Sequence, residues 1–313
     1  MTPLSHVLVT GGAGFIGSHT VRALLARGQR VTVLDNLSVG RREAVASDAR
    51  LIVGDVRDRT CVAEALDGID AVIHLAAQVT VRGSFERFYE DLDTNVMGTA
   101  NLIRSLDPRR ILWVAFASSM AVYADLESPA AISEDQATRP ISPYGVGKLA
   151  AEQVCIQMLA ARGIPLTVLR LFNTFGPGQT MTPYVGVITI FVTRLLRGEP
   201  PVVFGDGLQE RDFVHVHDIV DGILGSTGTA TGTFNLGSGR SISLNDLARL
   251  LIARVNPSME AEHVPAHEGE VRFCLADITA ARRAFGYAPE RSLDAHLDEI
   301  VADVRARLNA SRV

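Results

Sequence analysis

The sequence predicts an α/β protein built on a doubly wound parallel sheet, followed by a smaller α/β C-terminal lobe. Two observations predict this class. Up to about residue 172, short apolar runs of strand length alternate with helix-like segments, and such near-continuous runs are typical of parallel strands covered on both faces. The 313 residues are 47% hydrophobic and 21% charged, an ordinary globular composition with enough length for a sizeable core.

Each strand of the predicted sheet is one of these apolar runs. The strands are at 6–10, 30–35, 50–55, 70–77, 110–118 and 165–171. Helical segments lie between them at 14–28, 58–67 and 84–106, and a further helix follows Ser142. Because strand–helix alternation places helices on both faces of one sheet, the pattern predicts a Rossmann-type fold.

The regular alternation ends near residue 172. A Gly/Pro/Thr loop at 173–183 leads to an apolar helix that ends near 197. The chain is completed by short strands at 202–204, 212–216 and 232–236 and by helices at 243–254, 278–285 and 292–308. We predict a first domain at 1–172 and a smaller lobe at 173–313 that packs over the carboxyl edge of the sheet, with some segments returning to the first domain.

Charge and cysteine usage exclude several classes of protein. The formal net charge of −5 argues against a nucleic-acid or anionic-membrane surface, because either needs a basic footprint. The most apolar stretch, 184–192, is too short to cross a bilayer, and no export signal is evident at the N-terminus. Cys61, Cys155 and Cys274 lack the spacing of a disulfide framework or a zinc site. These features predict a cytoplasmic protein without a bound metal.

A glycine loop follows the first strand and opens the first helix. It reads TGGAGFIGSH, with Gly11, Gly14 and Gly17 three residues apart and Phe15 and Ile16 between the last two. Glycines at this place allow a tight turn and let backbone N–H groups approach a pyrophosphate at the helix N-terminus. The loop predicts that 1–172 binds a dinucleotide.

Polar residues end the next two strands. Asp35 lies 18 residues after Gly17, close to the position of a carboxylate that accepts the ribose hydroxyls of an adenosine. Since that carboxylate repels a 2′-phosphate, Asp35 favours NAD over NADP. Asn36, Asp55 and Val56 are further candidates for the adenosine side, although Asp55 could equally cap the next helix.

Two serines end the fifth strand, and a tyrosine and a lysine open the helix that follows. Ligands of open parallel sheets bind at the carboxyl ends of the strands, so Ser118 and Ser119 are predicted to face the cofactor. In SPYGVGK, Ser142 suits the N-cap, and Tyr144 and Lys148 share one helix face. The ammonium and the helix N-terminus both favour phenolate. The pair therefore predicts an acid/base catalyst with a lowered tyrosine pKa.

In the order and spacing of its motifs, the chain resembles the extended short-chain dehydrogenase/reductase family. The motifs cover essentially the whole chain and read TGGAGFIG, HLAAQ, NVMGTANL, SSMAVY, SPYGVGK, FNTFGPG, FGDGLQERDFVHVHDIV and FNLGSG. Within that family it is most similar to the NAD-dependent nucleotide-sugar epimerases and dehydratases, and above all to the UDP-glucose 4-epimerases.

The resemblance implies a role for each catalytic candidate. Tyr144 would be the acid/base on the sugar 4-hydroxyl, Lys148 would hold the nicotinamide ribose and keep Tyr144 acidic, and Ser119 would hydrogen-bond the same sugar oxygen. The nicotinamide side would be lined by Leu75, Ala76, Ala77, Gln78 and Asn95.

The resemblance also implies substrate contacts in the second half. Asn173 and Arg211 match positions that bind the substrate diphosphate, although Arg211 could instead pair with Asp212 or Asp218. His267 stands where relatives have an arginine, so either this imidazole or Arg272 would cover the phosphate. Cys274 matches the position that controls the room around the sugar 2-substituent, and a small residue there admits N-acetyl groups.

The implied activity is 4-epimerisation of a UDP-sugar, UDP-glucose/UDP-galactose first and UDP-GlcNAc/UDP-GalNAc in addition. Hydride leaves C4 for NAD, the 4-keto sugar rotates, and the hydride returns to the other face. Met120 and Ala121 stand where dehydrating relatives have an acidic pair and decarboxylating relatives tend to have a glutamate, which disfavours both reactions.

Two alternatives stay open. One is a UDP-glucuronate 4-epimerase or another nucleotide-sugar oxidoreductase, against which Asn173 and Thr180 favour a neutral sugar. The other is a non-catalytic NAD-binding sensor, which the retention of Tyr144 and Lys148 disfavours.

Besides His267, two departures from the resembling family affect the site, at Gly147 and Ala124. Gly145 and Gly147 weaken the helix start by ~1 kcal/mol each, and serine is the common residue at the second place. Ala124 replaces a glycine that could adopt a left-handed conformation.

Other residues are predicted to be structural. His215 and His217 should make polar contacts rather than bind a metal, His74 should be a hydrogen-bonded packing residue, and Cys155 should fill the core. The helices at 84–106 and around Tyr144 form two-fold dimers in the resembling family, so a homodimer is expected by analogy.

Overall fold

Parallel strands form the central sheet of the protein, of which the computed structural model describes residues 4–179, 186–266 and 271–310. The strands are β1 (His6–Thr10), β2 (Arg30–Asp35), β3 (Arg50–Val53), β4 (Ala71–His74), β5 (Trp113–Ser119), β6 (Leu166–Leu171), β7 (Asn173–Phe175), β8 (Val202–Phe204), β9 (Glu210–His215), β10 (Gly232–Leu236), β11 (Ser241–Ser243) and β12 (Glu262–Val264). The central sheet has the order β10-β6-β5-β4-β1-β2-β3, with every neighbouring pair parallel. The predicted α/β class is confirmed.

Helices cover both faces of this sheet. They are α1 (Phe15–Ala26), α2 (Arg59–Ala65), α3 (Val81–Glu86), α4 (Phe88–Leu92), α5 (Thr99–Ser105), α6 (Pro143–Ala160), α7 (Val187–Leu196), α8 (Val216–Ser226), α9 (Leu244–Val255), α10 (Thr279–Phe285) and α11 (Leu293–Ala310). Strand residues such as Val7 and Val9 pack with α1 and α8 on one face, whereas Leu8 between them packs with α2, α5 and α6 on the other. Because successive side chains point to opposite faces, apolar residues of these strands are buried on both faces of the sheet.

The single helix predicted over 84–106 is wrong. The backbone breaks at Arg87, where φ is −126° and ψ is 46°, so that α3 and α4 are separate helices. A π-helical turn, Asp93–Gly98, then joins α4 to α5. Periodicity alone could not show this, because both a break and a π turn leave an apolar stripe nearly in place.

The second half contributes a separate core and one strand of the main sheet. Helices α7, α9 and α11 enclose Val203 and Phe213, beside the small sheets β11-β9-β7 and β12-β8. The strand predicted at 232–236 is present as β10 and pairs with β6 in the central sheet. Strands β7, β11 and β12 and helix α8 were not anticipated from the sequence. The division at residue 172 stays a prediction.

A buried ion pair lies beneath the carboxyl edge of the sheet. Arg170 on β6 donates to both carboxylate oxygens of Glu152 on α6, at 2.6 and 3.2 Å. The Ser118 hydroxyl donates to Glu152 at 2.8 Å. The phenol of Tyr123 accepts from Arg170 at 3.0 Å and donates to Asn235 on β10 at 2.6 Å. The network ties α6, β5, β6 and β10 together.

None of the helices within the described ranges is both long enough and apolar enough to cross a bilayer.

Candidate active site

A cleft of about 330 Å³ opens at the carboxyl edge of the central sheet. Its lining is contributed by the following residues: Gly11, Gly14, Phe15, Ile16, Gly17, Leu34, Asp35, Asn36, Ser38, Val39, Gly40, Gly54, Asp55, Val56, Leu75, Ala76, Ala77, Gln78, Val79, Thr80, Thr94, Ala117, Ser118, Ser119, Tyr144, Lys148, Leu171, Phe172, Thr174 and Gln179. The strands predicted over 50–55 and 70–77 end at Val53 and His74. The segments that follow them are therefore loops, which is why they can line the cleft.

The glycine loop is packed too tightly for side chains. A Cβ added to Gly17 would lie 2.1 Å from the carbonyl oxygen of Gly11, and one added to Gly11 would lie 2.7 Å from the backbone nitrogen of Ala76. Gly11 also has a φ of +71°, a conformation that favours glycine. Helix α1 begins at Phe15, and Gly14 at its N-cap supplies no side-chain hydrogen bond. The first N–H groups of α1 thus keep their capacity to bind an anion.

Asp35 is held by the backbone at the cleft wall. Its two oxygens accept hydrogen bonds from the N–H groups of Ala13 and Leu37, at 3.0 and 2.8 Å. Carboxylate oxygens have further lone pairs, so Asp35 can still accept from ribose hydroxyls.

Asp55 is not a helix cap, because Asp58 caps α2 by accepting from Thr60 and Cys61. Asp55 accepts instead from Asn36 Nδ2 at 2.9 Å and forms a bidentate pair with Arg57. The hydrogen bonds from Arg57 hold the pKa of Asp55 at about 2. The carboxylate is therefore charged at the cleft wall.

Asn95 does not line the cleft. Asn95 is only 1% exposed and lies behind the loop that contains Gln78. The amide oxygen of Asn95 accepts from the Gln78 N–H at 2.8 Å, and Nδ2 donates to the Gln78 carbonyl at 3.0 Å. Asn95 therefore holds the loop that contains Gln78 in place.

The catalytic candidates meet at the cleft, on α6 and at the end of β5. Ser142 caps α6 by accepting from the Gly145 N–H at 3.1 Å, with Pro143 as the first helical residue. Tyr144 and Lys148 follow on one face, 8% and 4% exposed. The Ser119 hydroxyl hydrogen-bonds the Tyr144 hydroxyl.

The expected lowering of the Tyr144 pKa is wrong. Burial raises that pKa to about 12; the hydrogen bond from Ser119 opposes the rise, Asp91 adds to it, and Lys148 is not among the groups that move it. Burial also lowers the pKa of Lys148 to about 8, with Nζ 4.4 Å from the centre of the Phe116 ring. Burial of the two side chains therefore changes their pKa values more than the neighbouring charges do.

The candidate substrate residues of the second half form a group outside the cleft lining. Asn173 Nδ2 donates to Cys274 Sγ at 3.4 Å, and the positive charge of Arg211 acts on the Cys274 thiol, whose pKa burial raises to about 11. Asp212 and Asp218, the two carboxylates considered as partners of Arg211, form other contacts. Asp212 accepts from Ser238 and neighbouring N–H groups, and Asp218 pairs with Arg291.

Arg272 is committed to an ion pair. Its guanidinium donates to both oxygens of Asp206, at 2.7 and 2.9 Å, on the surface. A phosphate contact by Arg272 would compete with this pair. His267 and Thr180 lie outside the described residues.

Several lining residues are not among the predicted site residues. They are Leu34, Ser38, Val39, Gly40, Gly54, Val79, Thr80, Thr94, Ala117, Leu171, Phe172, Thr174 and Gln179. Leu171 ends β6 and the last three follow it at the carboxyl edge, so the rule that placed Ser118 and Ser119 there could have found them.

The residues predicted to be structural make the expected contacts. His215 Nε2 hydrogen-bonds Glu299 at 2.8 Å, and His217 Nε2 hydrogen-bonds His19 Nδ1 at 3.1 Å. His74 lies between the hydroxyls of Thr10 and Thr99, at 2.6 and 2.9 Å. Cys155 is fully buried, and burial raises its pKa to about 12, so the thiol is inert.

Known proteins resemble this chain over nearly its whole length. The model of the NAD dependent epimerase/dehydratase family matches residues 7–237. The UDP-glucose 4-epimerase of Lactobacillus helveticus is 32% identical over 95% of this chain and 94% of its own. The crystal structure of UDP-glucose 4-epimerase from Thermotoga maritima, with UDP-glucose, superposes with a TM-score of 0.92 at 34% identity, over 97% and 99% of the two chains.

A third similarity concerns an acetylated sugar. The UDP-N-acetylglucosamine 4-epimerase from Methanobrevibacter ruminantium M1, in complex with UDP-N-acetylmuramic acid, superposes with a TM-score of 0.91 at 31% identity, over 98% of this chain and 100% of that one.

Proposed function

Because this chain belongs to the NAD-dependent epimerase/dehydratase family, we propose that it is an NAD-dependent 4-epimerase of UDP-sugars. The observation that carries the proposal is a single cleft in which the glycine loop, Asp35 and the Ser119–Tyr144–Lys148 group face one ligand space. The similarity to UDP-glucose 4-epimerases over nearly the full length of both chains supports the same activity.

The cleft fits NAD. The crowded backbone at Gly11 and Gly17 and the start of α1 would hold the pyrophosphate, Asp35 would hold the adenosine ribose, and Lys148 would hold the nicotinamide ribose. When bound, NAD accepts a hydride from carbon 4 of the sugar and gives it back.

The proton is transferred by residues of the chain itself. With a pKa of about 12, Tyr144 carries its proton on Oη at neutral pH, ready to return it to the sugar oxygen. Acceptance of a proton requires the phenolate, which the Ser119 hydroxyl stabilises by its hydrogen bond. With a pKa of about 8, most Lys148 side chains are charged at neutral pH, which suits a cation that binds ribose hydroxyls.

The residues after Ser119 support epimerisation over elimination. Met120–Val122 form a short 3-10 turn, so Met120 and Ala121 present no carboxyl group next to the catalytic serine. Dehydration and decarboxylation both need a further acid or base at the sugar, whereas simple epimerisation needs only the serine, the tyrosine and the lysine.

Incubation with UDP-, dTDP- and GDP-sugars tests the proposal, with and without added NAD. We expect UDP-glucose and UDP-galactose to interconvert without net reduction of NAD. Release of CO2 and a UDP-pentose from UDP-glucuronate would instead identify a decarboxylase. No conversion of any sugar by NAD-loaded protein would identify a sensor.

We also propose that UDP-N-acetylhexosamines are substrates, through the small side chain of Cys274. Replacing Cys274 by Tyr should lower kcat/KM for UDP-GlcNAc by roughly 10-fold or more and leave that for UDP-glucose nearly unchanged. Since Cys274 is fully buried, the added ring also costs ~1–3 kcal/mol of folding free energy. Thermal unfolding must therefore show a folded variant, and Cys274→Ser serves as the volume-matched control. Equal loss of both activities contradicts the proposal.

We propose a homodimer formed through α3, α4, the π turn and α6. Large apolar side chains are exposed there: Phe85, Phe88, Tyr89, Met97 and Val146, at 54%, 55%, 72%, 60% and 49%. An exposed apolar patch of this kind is typical of a protein–protein interface. Sedimentation equilibrium should give twice the chain mass of 33.6 kDa, and a monomer mass at micromolar concentration would contradict the proposal.

We also propose that the protein is cytoplasmic. Cys61, Cys155 and Cys274 are free thiols, which supports a reducing compartment.

A further inference from the structure

A buried carboxylate beside the catalytic helix has no part in the chemistry described so far. Asp91 on α4 is 3% exposed. Its Oδ1 accepts a hydrogen bond from Asn95 Nδ2 at 3.1 Å. Its Oδ2 is buried with no hydrogen-bond partner in the described part of the chain. Buried carboxylates are normally saturated with donors or paired with a cation, so this oxygen needs an explanation.

Gly147 lets this carboxylate approach α6. A Cβ added at this position would lie 3.1 Å from Asp91 Oδ1, which is a tight contact that the carboxylate could relieve only by shifting away from α6. Gly147 directly precedes Lys148 and lies three residues after Tyr144. The glycine that weakens the start of α6 thus leaves room for a carboxylate beside the part of the helix that carries Tyr144 and Lys148.

The charge of Asp91 acts on both side chains in the same direction. It raises the pKa of Tyr144 and the pKa of Lys148. For Lys148 this opposes burial, which is the larger effect. Burial raises the pKa of Asp91 itself, and the Lys148 charge opposes that rise.

The other titratable groups that act on Lys148 are either paired or uncharged. Glu152 also raises the pKa of Lys148, but it is already paired with Arg170 at 2.6 Å. Burial lowers the pKa of His74 to about 3 and raises that of Cys155 to about 12, so both are neutral near pH 7. The Ser119 hydroxyl, which also acts on Tyr144, bears no charge.

We infer that Asp91 is a positioning residue, a buried counter-ion across Gly147 that keeps the Lys148 ammonium charged beside Tyr144. The inference deepens the proposed function and rests on it for its catalytic consequence. The Asn95 hydrogen bond gives Asp91 a second, purely structural contact, through which it supports the Gln78 loop.

A direct test uses the fact that Lys148 is the only lysine in the sequence. Lysine labelled with ¹³C at Cε gives one NMR signal, whose pH dependence reports the Lys148 pKa without assignment or activity. The wild-type midpoint is expected near 8, where burial places it. Asp91→Asn keeps an oxygen that can accept from Asn95 but removes the charge, and should lower the midpoint by roughly 1 unit.

The matched control is Asp93→Asn, two residues further on. The Asp93 carboxylate is 39% exposed and pairs with Arg57, so its loss should leave the Lys148 midpoint unchanged. An Asp91→Asn midpoint equal to that of the wild type overturns the inference. Asp91→Ala is the second variant if Asp91→Asn does not fold, with the same expected direction.

The catalytic consequence is tested by the pH profile of kcat/KM for UDP-glucose. The negative charge of Asp91 raises the pKa of both Tyr144 and Lys148. Asp91→Asn should therefore lower both pKa values and move the acidic and the alkaline limb of the profile to lower pH. Asp91→Ala should in addition raise KM for NAD, because it also removes the contact that orients Asn95. A profile that does not move overturns the catalytic part. If the wild type converts no UDP-sugar, the proposed function fails, while the NMR titration still decides whether Asp91 is the counter-ion.

Discussion

Replacing Tyr144 by phenylalanine lowers kcat for epimerisation by about 10²–10⁴-fold, and NAD binds as it does to the wild type. The substitution removes only the hydroxyl that Ser119 contacts. The ring is 8% exposed and stays packed in the cleft wall, so the nucleotide-binding loops should not move. Steady-state kinetics with UDP-glucose and titration calorimetry with NAD measure the two quantities separately.

Tyr89→Phe is the control for loss of a phenol hydroxyl. Tyr89 is 72% exposed and lies on α4, away from the cleft lining, so its variant should keep wild-type kcat. A Tyr144→Phe enzyme that keeps more than a tenth of the wild-type kcat would show that another group transfers the proton.

Replacing Glu152 by alanine is expected to lower the free energy of unfolding by about 3–5 kcal/mol. The reason is that Arg170, 5% exposed, would keep its charge in the interior without a counter-ion. Ser118 would lose its acceptor at the same time. Urea denaturation, with the slope of free energy against urea compared between variants, measures the loss.

Two further variants distinguish the effect of burying a charge on stability from the effect of the ion pair itself. Glu64→Ala breaks the pair with Arg50, whose side chains are 56% and 50% exposed, and should cost at most about 1 kcal/mol. The double variant Glu152→Leu with Arg170→Met removes both charges and should recover much of the stability. If the free energy of unfolding of Glu152→Ala lies within about 1 kcal/mol of the wild-type value, the buried pair is not the stabilising contact proposed here.

The features that the sequence predicts well are those with a local signal. Each parallel strand up to residue 171 is an apolar run with a turn or helix after it, and the glycine spacing at residues 11–17 has a direct backbone reason. The placement of Ser119, Tyr144 and Lys148 in one cleft follows from the rule that strand ends share an edge.

The features that were missed depend on contacts between distant segments. The Tyr144 pKa is raised mainly by burial, which no motif reports. The carboxylate of Asp91 lies close to α6 at Gly147, where there is no side chain. The pair of Glu152 and Arg170 had a signal, since an arginine inside an apolar strand requires a buried partner. Its partner could not be identified without the packing of α6 on β6.

Strand β10 has a consequence for synthesis of the chain. It covers one side of β6, pairing Gly232 with Thr167 through Leu236 with Leu171. When the ribosome has made residue 172, the nascent sheet therefore ends in an uncovered row of N–H and C=O groups, a template for pairing with other chains. The 64 residues up to Leu236 take roughly 3–13 s to translate, and for that interval the edge of β6 is open to pairing with another chain.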